Sequence, residues 1–170
     1  MIDKLREGFW GEVKTGVLSN GVRVIFARDE YEPITKFMIY HETGRVNEPK
    51  GKMGLVHLYE HLAFRARIGP EGRVFSDLAG DCSASINGGT TNDYLNFNAQ
   101  FPGQYLEDYL TLEAQRLGKI SKYLNNDDIA TEIEVIREEH NSENADNPVH
   151  GIREVISKAI YPEGDPKRFP

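Results

Sequence analysis

The segment 57–61, His-Leu-Tyr-Glu-His, constrains this chain more than any other feature, because on a helix its two imidazoles and its carboxylate share one face. A helix turns about 100° per residue, so His61 lies roughly 40° around from His57 and Glu60 roughly 60° to the other side. The order is the reverse of the His-Glu-x-x-His arrangement and keeps its geometry of two metal ligands and one flanking base. This pattern favours a hydrolytic zinc site.

Apolar residues surround the motif on nearly every side, which predicts a helix buried in the middle of a domain: Leu55, Val56, Leu58, Leu62, Ala63 and Phe64. Buried imidazole and carboxylate groups need partners, because an unpaired polar group away from water is costly. A metal ion is one such partner. The alternatives are a polar cluster without metal, or a surface helix that happens to carry these residues.

A hydrolytic zinc site holds its ion with three protein groups and keeps a fourth position for water. The segment from Asn126 to about Asn144 predicts the helix that supplies the third group, with capping residues at 125–127, acidic residues in the first turn and Asn147-Pro148 at its end. Its predicted inner face is marked by apolar residues at helical spacing, namely Ile129, Ile133 and Ile136.

Two carboxylates flank this isoleucine stripe. Taking Ile129 as the reference, Glu132 falls roughly 60° and Glu139 roughly 80° to one side. Glu134 and Glu138 fall on the far side, at about 140° and 180°. We interpret Glu139 as a candidate ligand and Glu132 as its neighbour in the same row. A Glu-rich helix is usually a solvated one, so geometry alone leaves ligand and non-ligand equally open.

These residues resemble the pitrilysin and insulinase family of zinc peptidases, which includes the mitochondrial processing peptidases. Residues 54–64 are similar to the family's Gly-x-x-His-x-x-Glu-His-x-x-Phe signature. Residues 132–140 resemble its second signature, in which a Glu seven residues after a first acidic position completes the zinc site. Residues 86–97 are similar to the stretch that runs from its substrate-binding edge strand into the neighbouring strand. The resemblance covers residues 12–170.

The resemblance implies a role for each matching residue. His57 and His61 would bind Zn²⁺, and Glu139 would complete the ligand set. Glu60 would be the general base, and Glu132 would orient groups or shuttle protons during catalysis.

The resemblance also implies that Asn87 and Gly88 belong to the edge strand against which an extended peptide substrate lies. The family commonly has Ala at the position of Gly88, and Ala and Leu at those of Val56 and Tyr59. None of these departures removes a ligand, so they bear on substrate preference more than on chemistry.

Strands followed by helices predict an α+β fold in which an antiparallel sheet packs against helices. Strands are expected at 22–26 after an Asn-Gly turn, at 35–41, and twice within 82–101, followed by a helix over 105–117. The resemblance implies an incomplete pitrilysin-type α/β roll, in which residues 1–170 form the N-terminal portion of a peptidase catalytic domain truncated at its C-terminus. It further implies a homologous second half or subunit as partner.

Composition excludes several other classes of function. A net charge of −7 with scattered basic residues argues against nucleic-acid binding. The single cysteine, Cys82, excludes an internal disulfide framework. Residues 1–10 contain no apolar run and no stretch reaches membrane-spanning length, so we expect a cytoplasmic protein without membrane contact.

The predicted function is a zinc-dependent metalloendopeptidase that hydrolyses extended or unfolded peptides. One alternative is a non-catalytic peptide-binding or structural homologue, although such relatives usually lack part of the metal set that this chain retains. The other is an inactive zinc-binding fragment that lacks its partner half.

Overall fold

The computed structural model describes residues 13–146, 148–163, 165 and 167. The segment 1–10 and Asn147, on which two of the sequence predictions rest, lie outside the described residues. The strands are β1 (Val13–Val17), β2 (Arg23–Ala27), β3 (Ile34–His41), β4 (Arg67–Ile68), β5 (Arg73–Val74), β6 (Ser85–Thr90) and β7 (Leu95–Pro102). The helices are α1 (Leu55–Arg65), α2 (Phe75–Asp81), α3 (Leu106–Tyr123), α4 (Asn126–Asp146) and α5 (Pro148–Ile160).

The main sheet is antiparallel and has the strand order β3-β7-β6. Phe97 of the central strand stands opposite Ile39 on one side and Gly88 on the other. Alternate residues of β7 are buried, as expected for a strand that turns one face to the core: Leu95, Phe97, Ala99 and Phe101. Within the described residues β6 pairs only with β7, so its outer edge is open.

The strands β1 and β2 form a separate hairpin. The amide of Gly21 donates to the carbonyl of Leu18 at 2.9 Å, and Gly21 has a φ of +87°, a left-handed conformation that glycine adopts without strain. The side chain of Asn20 accepts a hydrogen bond from the amide of Val22 at 3.1 Å. The predicted Asn-Gly hairpin is therefore confirmed.

The core lies between β7 and the helices α1, α2 and α3. Its centre is aromatic: the rings of Phe101 and Tyr109 stack with centroids 4.4 Å apart. One charged pair is buried among these rings, because Arg116 of α3 is only 1% exposed and lies over the faces of Phe75 and Phe97. Its guanidinium donates two hydrogen bonds to Glu113.

The predicted α+β class is confirmed, since antiparallel sheets pack against helices. The prediction that α1 is buried on all sides is wrong in part, because Leu55 is 46% exposed and the His57 side chain 30%. The helix α5 differs from the sequence prediction, in which Asn147-Pro148 ends the helical region. A proline at the first helical position is well tolerated, since the amide it lacks would have no partner in the helix.

The short helix α2 was not predicted either, because its seven residues are too few to show a helical period. Along the described parts of the chain, none of the helices is both long and apolar enough to cross a membrane.

Candidate metal centre

The start of α1 places the first histidine of the motif. Gly54 caps the helix with a φ of +87°. The carboxylate of Glu48 accepts hydrogen bonds from the amides of Gly54 at 2.9 Å and Val56 at 2.8 Å. A carboxylate at this end of a helix satisfies amides that have no partner in the helix and complements the helix dipole. Glu48 thus stabilises the turn of α1 that carries His57.

The helix α4 supplies the acidic residues, and Asn125 caps it. The side-chain oxygen of Asn125 accepts a hydrogen bond from the amide of Asp128 at 2.8 Å. Glu132 is buried at 2% exposure, whereas Glu134 and Glu138 are exposed. The helical phase inferred from the isoleucine stripe is therefore confirmed for these three carboxylates. Glu139 stands at the rim, with its side chain 47% exposed.

The structure brings the three predicted ligands together. The Nε2 atoms of His57 and His61 are 3.2 Å apart. The Oε2 atom of Glu139 lies 3.4 Å from Nε2 of His61 and 3.9 Å from Nε2 of His57. One donor atom from each residue falls within 4.8 Å of the others.

This donor set fits a zinc ion in both chemistry and spacing. Tetrahedral zinc with bonds of about 2.0–2.2 Å to nitrogen and oxygen separates its ligand atoms by about 3.3–3.6 Å. The three separations of 3.2, 3.4 and 3.9 Å bracket that value. A hydrogen bond between the two rings would account for the first distance, but it would leave the approach of the carboxylate unexplained.

The surroundings of His57 favour the neutral form of its side chain, which can bind a cation. Burial lowers the pKa of His57 below its ordinary value of 6.5, and the adjacent His61 lowers this pKa further. The carboxylates of Glu60 and Glu139 raise it to a smaller extent. The net lowering favours the neutral imidazole, which is the form that binds metals.

Glu132 stands behind the ligands and does not join them. Its Oε2 atom lies 3.2 Å from Nδ1 of His61, the ring nitrogen on the side away from His57. A proton on Nδ1 would be donated to this carboxylate, and Nε2 would then keep its lone pair toward Glu139 and His57. The other oxygen of Glu132, Oε1, lies 2.6 Å from Nε of Arg65.

Glu60 is nearly buried at 9% exposure, and its carboxylate is fixed from the edge strand β6. The hydroxyl of Thr90 donates to Oε2 of Glu60 at 2.6 Å. A Cβ atom on Gly88 would lie 2.9 Å from Oε1 of Glu60 and 3.0 Å from the ring of Phe64. A side chain at position 88 would therefore require the Glu60 carboxylate and the Phe64 ring to shift.

Asn87, the other residue predicted to bind substrate, is exposed on β6. Its side-chain oxygen accepts a hydrogen bond from the amide of Gly88 at 2.8 Å. Both residues lie on the edge strand β6, as the resemblance implied, and their role in substrate binding stays a prediction.

Two residues of the site were not found from the sequence. Arg65 follows His61 by four positions, a spacing that puts both on one side of α1. Thr90 follows Gly88 by two positions, which puts both on one face of β6. The sequence contains both spacings, but it does not show that α4 and β6 pack against α1. Only that packing brings Arg65 and Thr90 to the site.

Comparison with known proteins shows which sequences and folds this chain resembles. The profile of the family described as Insulinase (Peptidase family M16) matches residues 23–166. The zinc protease PqqE of Helicobacter pylori (strain ATCC 700392 / 26695) is 24% identical over 133 residues, which cover 78% of this chain and 30% of that protein.

Among solved structures, a protease from Helicobacter pylori superimposes with a TM-score of 0.74 at 22% identity, over 83% of this chain and 34% of that one. The chain therefore spans about a third of the length of these two relatives. The match of the family profile to most of the chain leads to one conclusion: the protein belongs to the insulinase family of peptidases.

Proposed function

We propose that this chain forms the zinc-binding, catalytic part of a metalloendopeptidase that acts on extended or unfolded peptides. The observation that carries the proposal is the convergence of His57, His61 and Glu139 from two helices, with donor atoms at the spacing of a tetrahedral ion. Membership of a peptidase family, and the name of the zinc protease among its relatives, support the same chemistry.

Each residue around the three ligands would have a separate role in catalysis. When bound, zinc would act as a Lewis acid on the scissile carbonyl and lower the pKa of a bound water toward 7. Glu60 would accept the proton of the attacking water and return it to the leaving amine. Thr90 occupies Oε2 of Glu60 through its hydroxyl, so Oε1 remains available for that proton. Glu132 would hold the ring of His61 in orientation through Nδ1.

The open edge of β6 is the proposed binding place of the substrate. A peptide that adds to a sheet edge is held by main-chain hydrogen bonds, which are largely indifferent to side chains and require an extended substrate. Asn87 and Gly88 lie on this strand. We therefore expect cleavage of many unfolded peptides and little cleavage of folded proteins.

A second candidate function is that of an inactive zinc-binding fragment. The observation that favours it is the length of the chain relative to its relatives. The chain spans about a third of its relatives, so a homologous second half or subunit would supply the remaining substrate contacts. In that case the metal centre would bind zinc, and turnover would require the partner.

The test is cleavage of a quenched unfolded peptide by the zinc-loaded chain, with and without a chelator. The Glu60→Gln variant is expected to bind zinc as the parent does and to lose turnover, because glutamine cannot accept the proton. Glu138→Gln is the matched control, since Glu138 is exposed on the outer side of α4. Cleavage by Glu60→Gln at the parent rate would contradict the assignment, and zinc binding without cleavage by the parent would favour the inactive piece.

A further inference from the structure

We propose that Arg65 is a positioning residue of the metal centre, which fixes the Glu132 carboxylate so that His61 presents Nε2 to the ion. This inference rests on the proposed zinc site, and it adds to that site a residue that neither binds the metal nor touches substrate.

The first argument is burial. The Glu132 side chain is 3% exposed, and a buried carboxylate is costly unless its charge is compensated. Arg65 supplies a positive charge 2.6 Å from Oε1. Within the described part of the chain Oε1 accepts no hydrogen bond, so the ion pair with Arg65 is what compensates the charge on this oxygen.

The second argument is geometry. His61 and Arg65 are one helical turn apart on α1, and each faces a different oxygen of the same carboxylate. Oε2 meets Nδ1 of His61, and Oε1 meets Nε of Arg65. Two points of contact prevent the carboxylate of Glu132 from turning away from the imidazole.

The third argument is the consequence for the ligands. With Glu132 in place, a proton is favoured on Nδ1 of His61, which leaves the lone pair of Nε2 toward the ion. The same ion pair holds α4 against α1, and α4 carries Glu139. Loss of Arg65 would therefore loosen both the orientation of one ligand and the approach of another.

The competing account is that Arg65 only compensates the buried charge of Glu132 and stabilises the fold, without any influence on the ligands. The Arg65 side chain is 56% exposed and that of Glu132 3% exposed. Such a pair would leave zinc affinity unchanged. Replacing a group that orients a metal ligand typically lowers metal affinity by about 10–100-fold, and Arg65 would exert such an effect through Glu132. Zinc affinity therefore separates the two accounts without any assay of activity.

The experiment measures zinc affinity by competition with a chromophoric chelator for the parent chain, Arg65→Met and Arg65→Lys. We expect Arg65→Met to bind zinc about tenfold more weakly and Arg65→Lys to recover most of the loss, because lysine keeps the charge. The matched control is Arg137→Met, which removes an exposed arginine that pairs with Glu134 on α4 and should leave affinity unchanged. A loss smaller than about threefold in Arg65→Met overturns the inference.

A double variant tests whether Arg65 acts through Glu132. In a Glu132→Gln background, Arg65→Met should cause no further loss of zinc affinity, whereas losses that add would overturn the inference. Nitrogen-15 NMR of His61 in the zinc-free chain should show the Nδ1–H tautomer in the parent and a smaller share of it in Arg65→Met.

Outcomes for the proposed function and for this inference are distinguishable. A parent chain that binds no zinc overturns both, whereas a parent that binds zinc with Arg65→Met unchanged overturns the inference alone. Circular dichroism checks that each variant is folded, and Arg65→Gln replaces Arg65→Met if the latter does not fold.

Discussion

Replacing Arg116 by methionine is expected to destabilise the fold strongly, because it leaves a buried carboxylate without its counter-charge. Arg116 is 1% exposed and Glu113 3%. The guanidinium donates to Oε2 of Glu113 from Nε at 2.9 Å and from Nη2 at 2.6 Å. It also lies 4.0 Å from the ring centroid of Phe97 and 4.7 Å from that of Phe75.

The magnitude follows from these contacts. Removing one partner of a buried ion pair costs about 3–5 kcal/mol of unfolding free energy. The hydroxyl of Tyr109 still donates to Oε1 of Glu113 at 3.1 Å, which moderates the cost, while the lost contacts with the two rings add to it. Adding Glu113→Gln removes the second charge and keeps an acceptor for Tyr109. The double variant should therefore be more stable than Arg116→Met alone.

The assay is equilibrium unfolding in urea, followed by circular dichroism. Arg137→Met is the control, because Arg137 and Glu134 are 67% and 66% exposed and their pair should contribute no more than about 1 kcal/mol. A loss below about 1 kcal/mol in Arg116→Met would refute the reasoning, as would a double variant that is no more stable than Arg116→Met.

Three further predictions concern the histidine and carboxylate groups. Burial and the charge of Arg116 lower the pKa of His41 in the folded chain below 6.5, so just below pH 6.5 the unfolded chain binds more protons than the folded chain. The free energy of unfolding should therefore fall as the pH drops below 6.5, and His41→Phe should reduce this pH dependence in urea titrations. Thr90→Val should lower kcat about tenfold at unchanged zinc affinity, and Thr90→Ser should restore it, because the hydroxyl orients Glu60. Glu139→Gln should weaken zinc binding by more than about tenfold in chelator competition, whereas Glu138→Gln should not.

The helical part of the metal centre could be predicted from the sequence because it depends on local periodicity. The spacing of His57 and His61 on one helix, and the phase of Glu132 and Glu139 against the isoleucine stripe, are properties of single helices. The structure adds the step that periodicity does not contain, namely that α1 and α4 lie side by side. The family resemblance anticipated that step, and the distances between donor atoms agree with it.

The contacts between distant segments could not be predicted. The Glu60 carboxylate accepts a hydrogen bond from Thr90, which is 30 positions away in the sequence, and Gly88 leaves room for the other oxygen of this carboxylate beside β6. The burial of Arg116 could not be predicted either, since an arginine on a helix is usually solvated. Its burial depends on the pair with Glu113 and on the rings around it. Such features depend on which surfaces meet after folding, which a pattern within one element does not encode.

X-ray absorption at the zinc edge, on the chain loaded with one equivalent of zinc, tests the central claim most directly. We expect two imidazole nitrogens and carboxylate or water oxygen at about 2.0–2.2 Å, with no sulfur neighbour. A sulfur at about 2.3 Å, or an ion surrounded by oxygen alone, would contradict a centre built from His57, His61 and Glu139.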